Sequence, residues 1–308
     1  MENIIEAINI QIAQLVDMNN AYEVFDEVKT IVFMISPEFA IDSVNVTFQD
    51  VVDLFEGRYP GYNQCNTMYH DLVHTMSAML AMTRLIHGAI LQGETISNKN
   101  IALGLISALM HDTGYIQDLD DMVGTGAKYT LTHIKRSIEF MEKYFKEKGF
   151  SGEDFENCRD ILECTGLNTK IHKIKFKSRQ IELLGKMLGT ADLLGQMADR
   201  LYLEKLIYLY YEFKEGGIEG YDNEFNLLTS TFGFFSITER RMAGELGGVN
   251  KYMIHHLRKR WNIDKDLYKE AIEKNERYLK FILENHDKGY RDFLRRGGII
   301  KKLEEAGM

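Results

Sequence analysis

The chain has 308 residues, with 37 Lys and Arg against 46 Asp and Glu, a formal net charge of −9. That length allows one or two domains and a core large enough to stand without disulfide staples. The acidic balance argues against a nucleic-acid backbone or an anionic membrane as main partner, since both need a basic footprint.

Three cysteines, Cys65, Cys158 and Cys164, are odd in number and lack CxxC spacing. They predict neither a disulfide framework nor a Cys-zinc site, and they fit a reducing cytoplasm. The first residues, MENIIEAINIQIAQLVD, have no basic n-region and no cleavage site, so no signal peptide is expected. No apolar run reaches 18 residues, so no membrane span is expected.

Only Pro37 and Pro60 interrupt the chain, and helical periodicity dominates throughout. Helices are predicted near 2–18, 22–35, 47–57, 67–91, 98–115, 130–148, 152–164, 179–214, 223–229, 237–258, 264–286 and 288–305. Ser151-Gly152-Glu153-Asp154 and Ser236-Ile237-Thr238-Glu239 carry capping-box spacing. Gly149 and Gly216-Gly217 sit where helices should stop. The fold class is therefore all-α. The expected layout is a helical core over 67–214, a helical N-terminal extension over 1–66 packed on it, and a helical C-terminal extension over 215–308.

Chemistry enters with Tyr69-His70-Asp71-Leu72-Val73-His74, where His70 and His74 lie four apart. On a helix they share a face with the small residues Ser77, Ala78, Ala81 and Gly88, which would let an ion or another helix come close. His87 points away and reads as structural. Next, an apolar helix from Ile101 to Met110 runs into His111-Asp112, so Asp112 falls in or beside the core. A buried carboxylate is costly unless paired or bound to a cation. Asp192 repeats the pattern, a single acid beside Gly185 and Gly189 on an apolar helix, whereas Asp199 reads as solvated or salt-bridged. Histidines with aspartates form a mixed nitrogen and oxygen donor set that suits Zn, Fe, Mn or Ni, or Mg where water completes the shell.

The order of these pieces, from Tyr69 to Arg200, resembles the HD superfamily of metal-dependent phosphohydrolases, and within it the catalytic domain of class I cyclic nucleotide phosphodiesterases. Tyr69-His70-Asp71-Leu72-Val73-His74 looks like that family's YHNxxH, Ala108-Leu109-Met110-His111-Asp112 like its apolar run into HD, and Thr190-Ala191-Asp192 like its TAD. The resemblance implies an HD-type, phosphodiesterase-like multi-helical bundle around a buried metal site. It implies one or two divalent ions, the first held by His74, His111, Asp112 and Asp192, with Asp112 bridging to a second. It also implies that metal-activated water attacks phosphorus while His70 protonates the leaving oxygen.

The chain departs from the family's pattern at Tyr115, which stands where HDxxH has its second His, at Asp71 for the Asn of YHN, and at Thr165 for the acid of ILxTD. No Gln follows Gln196. His133 opens a helix about 20 residues after the HD pair and is a candidate for a second metal or for phosphate. Thr113, Tyr115 and Gln196 are candidates for the substrate pocket.

Lys135 and Arg136 read either as phosphate contacts or as solvated charges, and the loop Gly114–Lys128 as a lid or as an acidic solvated loop. The remaining histidines, His172, His255, His256 and His286, lack a partner pattern and are expected at the surface. The expected activity is hydrolysis of a phosphoester, a monoester or a diester, on a small phosphorylated, nucleotide-like substrate.

Two other readings stand beside it. One is a non-catalytic HD-fold module with a structural metal. The other is a zincin-like peptidase, since His70-Asp71-Leu72-Val73-His74 mimics HExxH; it leaves His111, Asp112 and Asp192 unexplained. The aromatic C-terminal half, with Tyr208, Tyr210, Tyr211, Phe213, Phe232, Phe234 and Phe235, reads as core or as a homodimer interface.

Overall fold

The computed structural model describes residues 10–307. Within them the chain forms twelve α-helices, and no strand is assigned. They are α1 (Ala21–Ile35), α2 (Asp42–Phe55), α3 (Leu72–Leu91), α4 (Asn98–Met110), α5 (His133–Lys148), α6 (Gly152–Leu162), α7 (Arg179–Met197), α8 (Tyr202–Glu215), α9 (Glu224–Ala243), α10 (Met253–Trp261), α11 (Leu267–Glu284) and α12 (Ile299–Glu305). No helix among the described residues is long and apolar enough to cross a membrane.

Helix α3 is the axis of the molecule. Nearly every side chain from His74 to Ala89 is buried, as expected of a helix that is apolar on all sides. α7 makes the most extensive contact with it, and α1, α4 and α10 cover its other faces. The small residues expected to admit a neighbour do so. At Gly195 of α7 a Cβ would lie 3.1 Å from the backbone of Ser77 and Ala78, so the two helices meet almost backbone to backbone. On the far side, the backbone of Tyr252 sits directly on Gly88.

One hydrophobic core runs from Val24 to Tyr268 and includes α1 and α2, so the N-terminal helices and the metal-motif helices bury their apolar faces together. A second core, from Met197 to Leu303, is built by α8, α9, α11 and α12.

Several helix boundaries follow from identifiable caps. Asp71 Oδ1 accepts the His74 N–H at 2.8 Å and starts α3 at Leu72, not at 67, because an Asp N-cap satisfies an orphan donor of the first turn. The capping box at Ser151 and Asp154 forms, and Gly149 ends α5 in the left-handed conformation (φ 77°). The expected helix over 179–214 is two helices. Between them Asp199 Oδ1 accepts the Leu201 N–H at 2.8 Å, and Asn275 donates to the carbonyls of Met197 and Asp199 at 2.9 Å each.

Ser236 does not begin a helix. It lies inside α9, because Leu228, Thr231, Phe235, Thr238 and Met242 keep a 3–4 residue burial period straight through it. The expected helix over 288–305 is reduced to α12; that over 2–18 lies outside the described residues as far as residue 9, and residues 10–18 form only a short 3-10 turn at Ile12–Gln14 in place of the expected helix.

The Gly88 contact sets a stability test. A Cβ there would stand 2.0 Å from the Tyr252 carbonyl oxygen. Gly88→Ala must therefore push α3 away from the Val249–Tyr252 turn, and a loss of about 1–3 kcal/mol is expected. It would read as a lower urea midpoint with an unchanged m-value; an unchanged midpoint would show that the contact yields without cost.

Candidate metal centre

Three separate stretches of chain converge at one end of α3. His74 comes from its first turn. His111 and Asp112 follow the last turn of α4, where the apolar run forces them inward. Asp192 comes from the middle of α7, brought close by the small residues that let α7 settle on α3. His74 Nε2 lies 3.1 Å from Asp112 Oδ2 and 3.2 Å from Asp192 Oδ1. His111 Nε2 lies 3.1 Å from Asp112 Oδ2 and 3.9 Å from Asp192 Oδ1. The two Nε2 atoms are 3.3 Å apart. Donor atoms of His74, His111 and Asp112 all fall within 4.8 Å of one another, and all three residues are buried.

The proton inventory shows what this cluster needs. His111 Nδ1 is 2.8 Å from the Ala108 carbonyl, to which it can only donate, so in the neutral ring Nε2 carries a lone pair. That lone pair faces the Nε2 of His74 and a carboxylate oxygen. Asp112 Oδ2 is buried and has no well-directed hydrogen bond. Crowded acceptors in a buried place are stable only around a shared cation, a proton or a metal. The donors fit a divalent ion of the zinc, iron or manganese type.

The electrostatics agree. Burial opposes charge on His74, but its contacts with Asp112 and Asp192 outweigh that and push it up to about 10. His111 is raised too: burial lowers it, and attraction to Asp112 dominates. Asp112 is held well below the carboxylate range by His111, His74 and His70 against its burial. Asp192 is likewise lowered, chiefly through His74, against burial.

His70 stands outside α3, just before its Asp71 cap, so the i, i+4 helical relation to His74 does not hold. The two rings still meet, with centroids 5.7 Å apart. His70 Nδ1 is 2.6 Å from Glu212 Oε2, and the Tyr69 backbone N–H donates to Glu212 Oε1 at 2.6 Å. Glu212 is a buried acid on the aromatic helix α8 and was absent from the sequence expectations. Spacing alone does not mark it, because the same helix also carries Glu204, Glu215, Lys205 and Lys214, and a further carboxylate among them is no anomaly.

His133 opens α5 and points Nε2 at Asp112 Oδ1 from 3.9 Å, while its Nδ1 is held by the Thr130 carbonyl at 2.7 Å. Burial lowers its pKa although Asp112 pulls the other way. α5 is clamped onto the Thr113–Tyr115 turn. Ser137 Oγ donates to the His111 carbonyl and accepts from the Gly114 N–H, and Arg136 donates to the carbonyls of Gly114 and Ile116. A Cβ on Gly114 would stand 1.9 Å from the His133 carbonyl oxygen, so glycine is what admits the helix there.

The candidate pocket residues lie close by in other roles. Gln196 Nε2 donates to Asp192 Oδ1 at 2.7 Å, and its own carbonyl accepts from Tyr69 OH at 3.0 Å, so it orients the aspartate. Thr113 is buried and donates to the Met110 carbonyl. Tyr115 is buried beneath the histidines. The Gly114–Lys128 loop is pinned at Thr125 by Glu215 and at Asp121 by Lys128 and Tyr129. Lys135 is exposed and 3.5 Å from Glu139.

Among the outlying histidines, His172 and His286 are exposed and His255 is half-buried. His256 corrects the surface expectation. It is fully buried and pairs Nδ1 to Nδ1 with His87 at 2.9 Å, because α10 lies against α3. Asp199 is ion-paired to Lys205 at 2.6 Å.

Fold and site together define an all-helical protein with a buried cluster of histidines and aspartates that can hold a metal. The family described as Npun_R2479-like matches residues 59–238, more than half of the chain, so the chain belongs to that family. The match takes in every residue of the cluster. No curated protein and no solved structure matches the chain.

A pH test follows from the raised His74 value. In the metal-free protein, the charge on His74 contributes stability that is fully present below its unfolded value of about 6.5 and is lost as pH rises through about 10. A metal must displace that proton. Zinc titrated into metal-free protein at pH 7 should therefore release protons, and affinity should tighten as pH rises. Asp112→Ala should abolish retention of the metal. Binding without proton release would show that His74 is neutral in the metal-free protein at pH 7.

Proposed function

We propose that the chain is an HD-type metal-dependent phosphohydrolase with a phosphodiesterase-like helical bundle, acting on a small phosphoester, mono- or diester, of nucleotide-like chemistry. The observation that carries this reading is the convergence of His74, His111, Asp112 and Asp192 from distant stretches, with His70 on its own carboxylate beside them. A divalent ion held by those four residues would supply a Lewis acid for the phosphoryl oxygens and an activated water.

The chain's own groups complete the chemistry. Glu212 fixes the His70 ring through Nδ1, which leaves Nε2 to deliver a proton to the leaving oxygen. The Tyr69 backbone N–H holds Glu212 in turn. Gln196 keeps Asp192 turned toward the cluster. His133, facing the second oxygen of Asp112, would be the residue to hold a second ion or to contact substrate phosphate. Tight burial excludes bulk water, which strengthens each of these interactions. The reading places the protein in the cytoplasm, with its reduced cysteines, and keeps 67–214 as the catalytic core with helical extensions on either side; Tyr208, Tyr211, Phe234 and Phe235 pack in the second core, so a homodimer would rest on exposed residues such as Phe232.

The test is turnover of aryl phosphomonoesters, aryl phosphodiesters and nucleotides by protein loaded with manganese, magnesium or zinc. His70→Ala should cut kcat by about 10²–10⁴-fold with metal content unchanged, and Glu212→Gln should lower kcat in the same direction by less. A folded, metal-loaded protein inert across the panel would leave the structural-metal module as the reading, and a His70→Ala variant as active as the parent would remove His70 as the proton donor.

A further inference from the structure

Tyr115 stands where the resembled family has a second histidine, and its surroundings give it a different task. The ring is 2 % exposed. It lies nearly parallel to His70, with centroids 4.3 Å apart and planes 11° apart, and nearly parallel to His133, at 4.6 Å and 17°. Its hydroxyl is hydrogen-bonded to the Thr130 side chain. Thr130 also holds His133, through its carbonyl. The rings of His70 and His133 are themselves 6.3 Å apart. One phenol therefore backs two imidazoles that face the same cluster from different elements, one before α3 and one at the start of α5.

We infer that Tyr115 is a positioning residue, an aromatic platform that fixes the ring planes of His70 and His133 relative to each other. Each histidine is otherwise held by one hydrogen bond at Nδ1, to Glu212 and to Thr130 respectively. A single bond at one ring atom fixes that atom but leaves the ring free to rotate about it. A stacked neighbour removes this freedom and adds about 0.5–1.5 kcal/mol per ring pair. The platform is nonpolar where it touches the imidazoles, so it sets their orientation without adding a ligand or a proton. The inference rests on the proposed role of His70 for its kinetic consequence only, because the stacking itself is independent of any reaction.

Two variants and two readouts test it. Tyr115→Phe keeps the ring and loses the hydroxyl, whereas Tyr115→Leu loses the ring. Proton spectra of histidine-labelled protein should show His70 and His133 ring signals shifted upfield by the Tyr115 ring current. That shift should persist in Tyr115→Phe and vanish in Tyr115→Leu. In turnover, Tyr115→Leu should lower kcat about 10–100-fold with KM and metal content near the parent's, in line with the cost of misplacing a reacting group by about 1 Å. Tyr115→Phe should restore most of the rate.

The platform is overturned if Tyr115→Leu leaves the ring signals in place, or if Tyr115→Phe is as damaged as Tyr115→Leu, which would make the hydroxyl the working group. A parent protein without turnover that still shows both upfield shifts would sink the hydrolase reading and leave the platform standing.

Discussion

Two imidazole nitrogens and a buried carboxylate oxygen, all within 3.3 Å of one another, are the constraint on which the structure turns. No packing of apolar side chains compensates for such a group, since leaving one buried charge unpaired costs several kcal/mol. The surrounding helices are arranged to meet that demand. α3 and α7 approach to backbone contact at Gly195, which lets short aspartate and histidine side chains reach a common point. Gly114 and Ser137 bring α5 onto the turn that follows Asp112. The same closeness that makes the cluster expensive would favour a compact cation.

Much of this was legible in the chain because of one kind of anomaly, an ionisable residue inside an apolar helix. Asp112 and Asp192 are the clearest cases, and His74, His111, Asp112 and Asp192 were singled out by chemistry before any geometry. The helical class was readable from periodicity and the scarcity of proline. Less visible were some boundaries set by caps, although the Ser151 capping box and the Gly149 stop were readable. Asp71 removes His70 from α3, and no hydrophobic pattern announces that. Ser236 carried a capping-box signal, yet the burial period of α9 runs across it, so tertiary packing overrode a local preference. The break at 198–201 depends on Asn275, some 75 residues downstream, whose side chain satisfies two carbonyls there.

Histidine was the residue type hardest to assign from spacing. His256 had no partner pattern because its partner, His87, lies on α3, and the contact exists only once α10 has docked. Burial pushes His256 down to about 2 and His87 to about 4, so both stay neutral and share one proton across the pair. The same residue type at His74 is pushed the other way, to about 10, because two carboxylates face it. Neighbouring charge, and not burial, separates a histidine of the core from a histidine of the cluster.

The buried glutamates extend this logic away from the cluster. Glu212 on α8 serves His70 and Tyr69. Glu204, two turns earlier on the same helix, accepts the backbone N–H groups of Gly297 and Ile299 at 2.6 Å each and so starts α12. Glu224 at the head of α9 takes the hydroxyls of Tyr211, on α8, and Tyr290, together with the guanidinium of Arg291. Each acid has a fixed set of donors, which is the condition for keeping it buried. The C-terminal segment, beyond the family match, is thereby anchored to the helix that orients His70. The second core includes α8, the same helix whose Glu212 carboxylate holds His70.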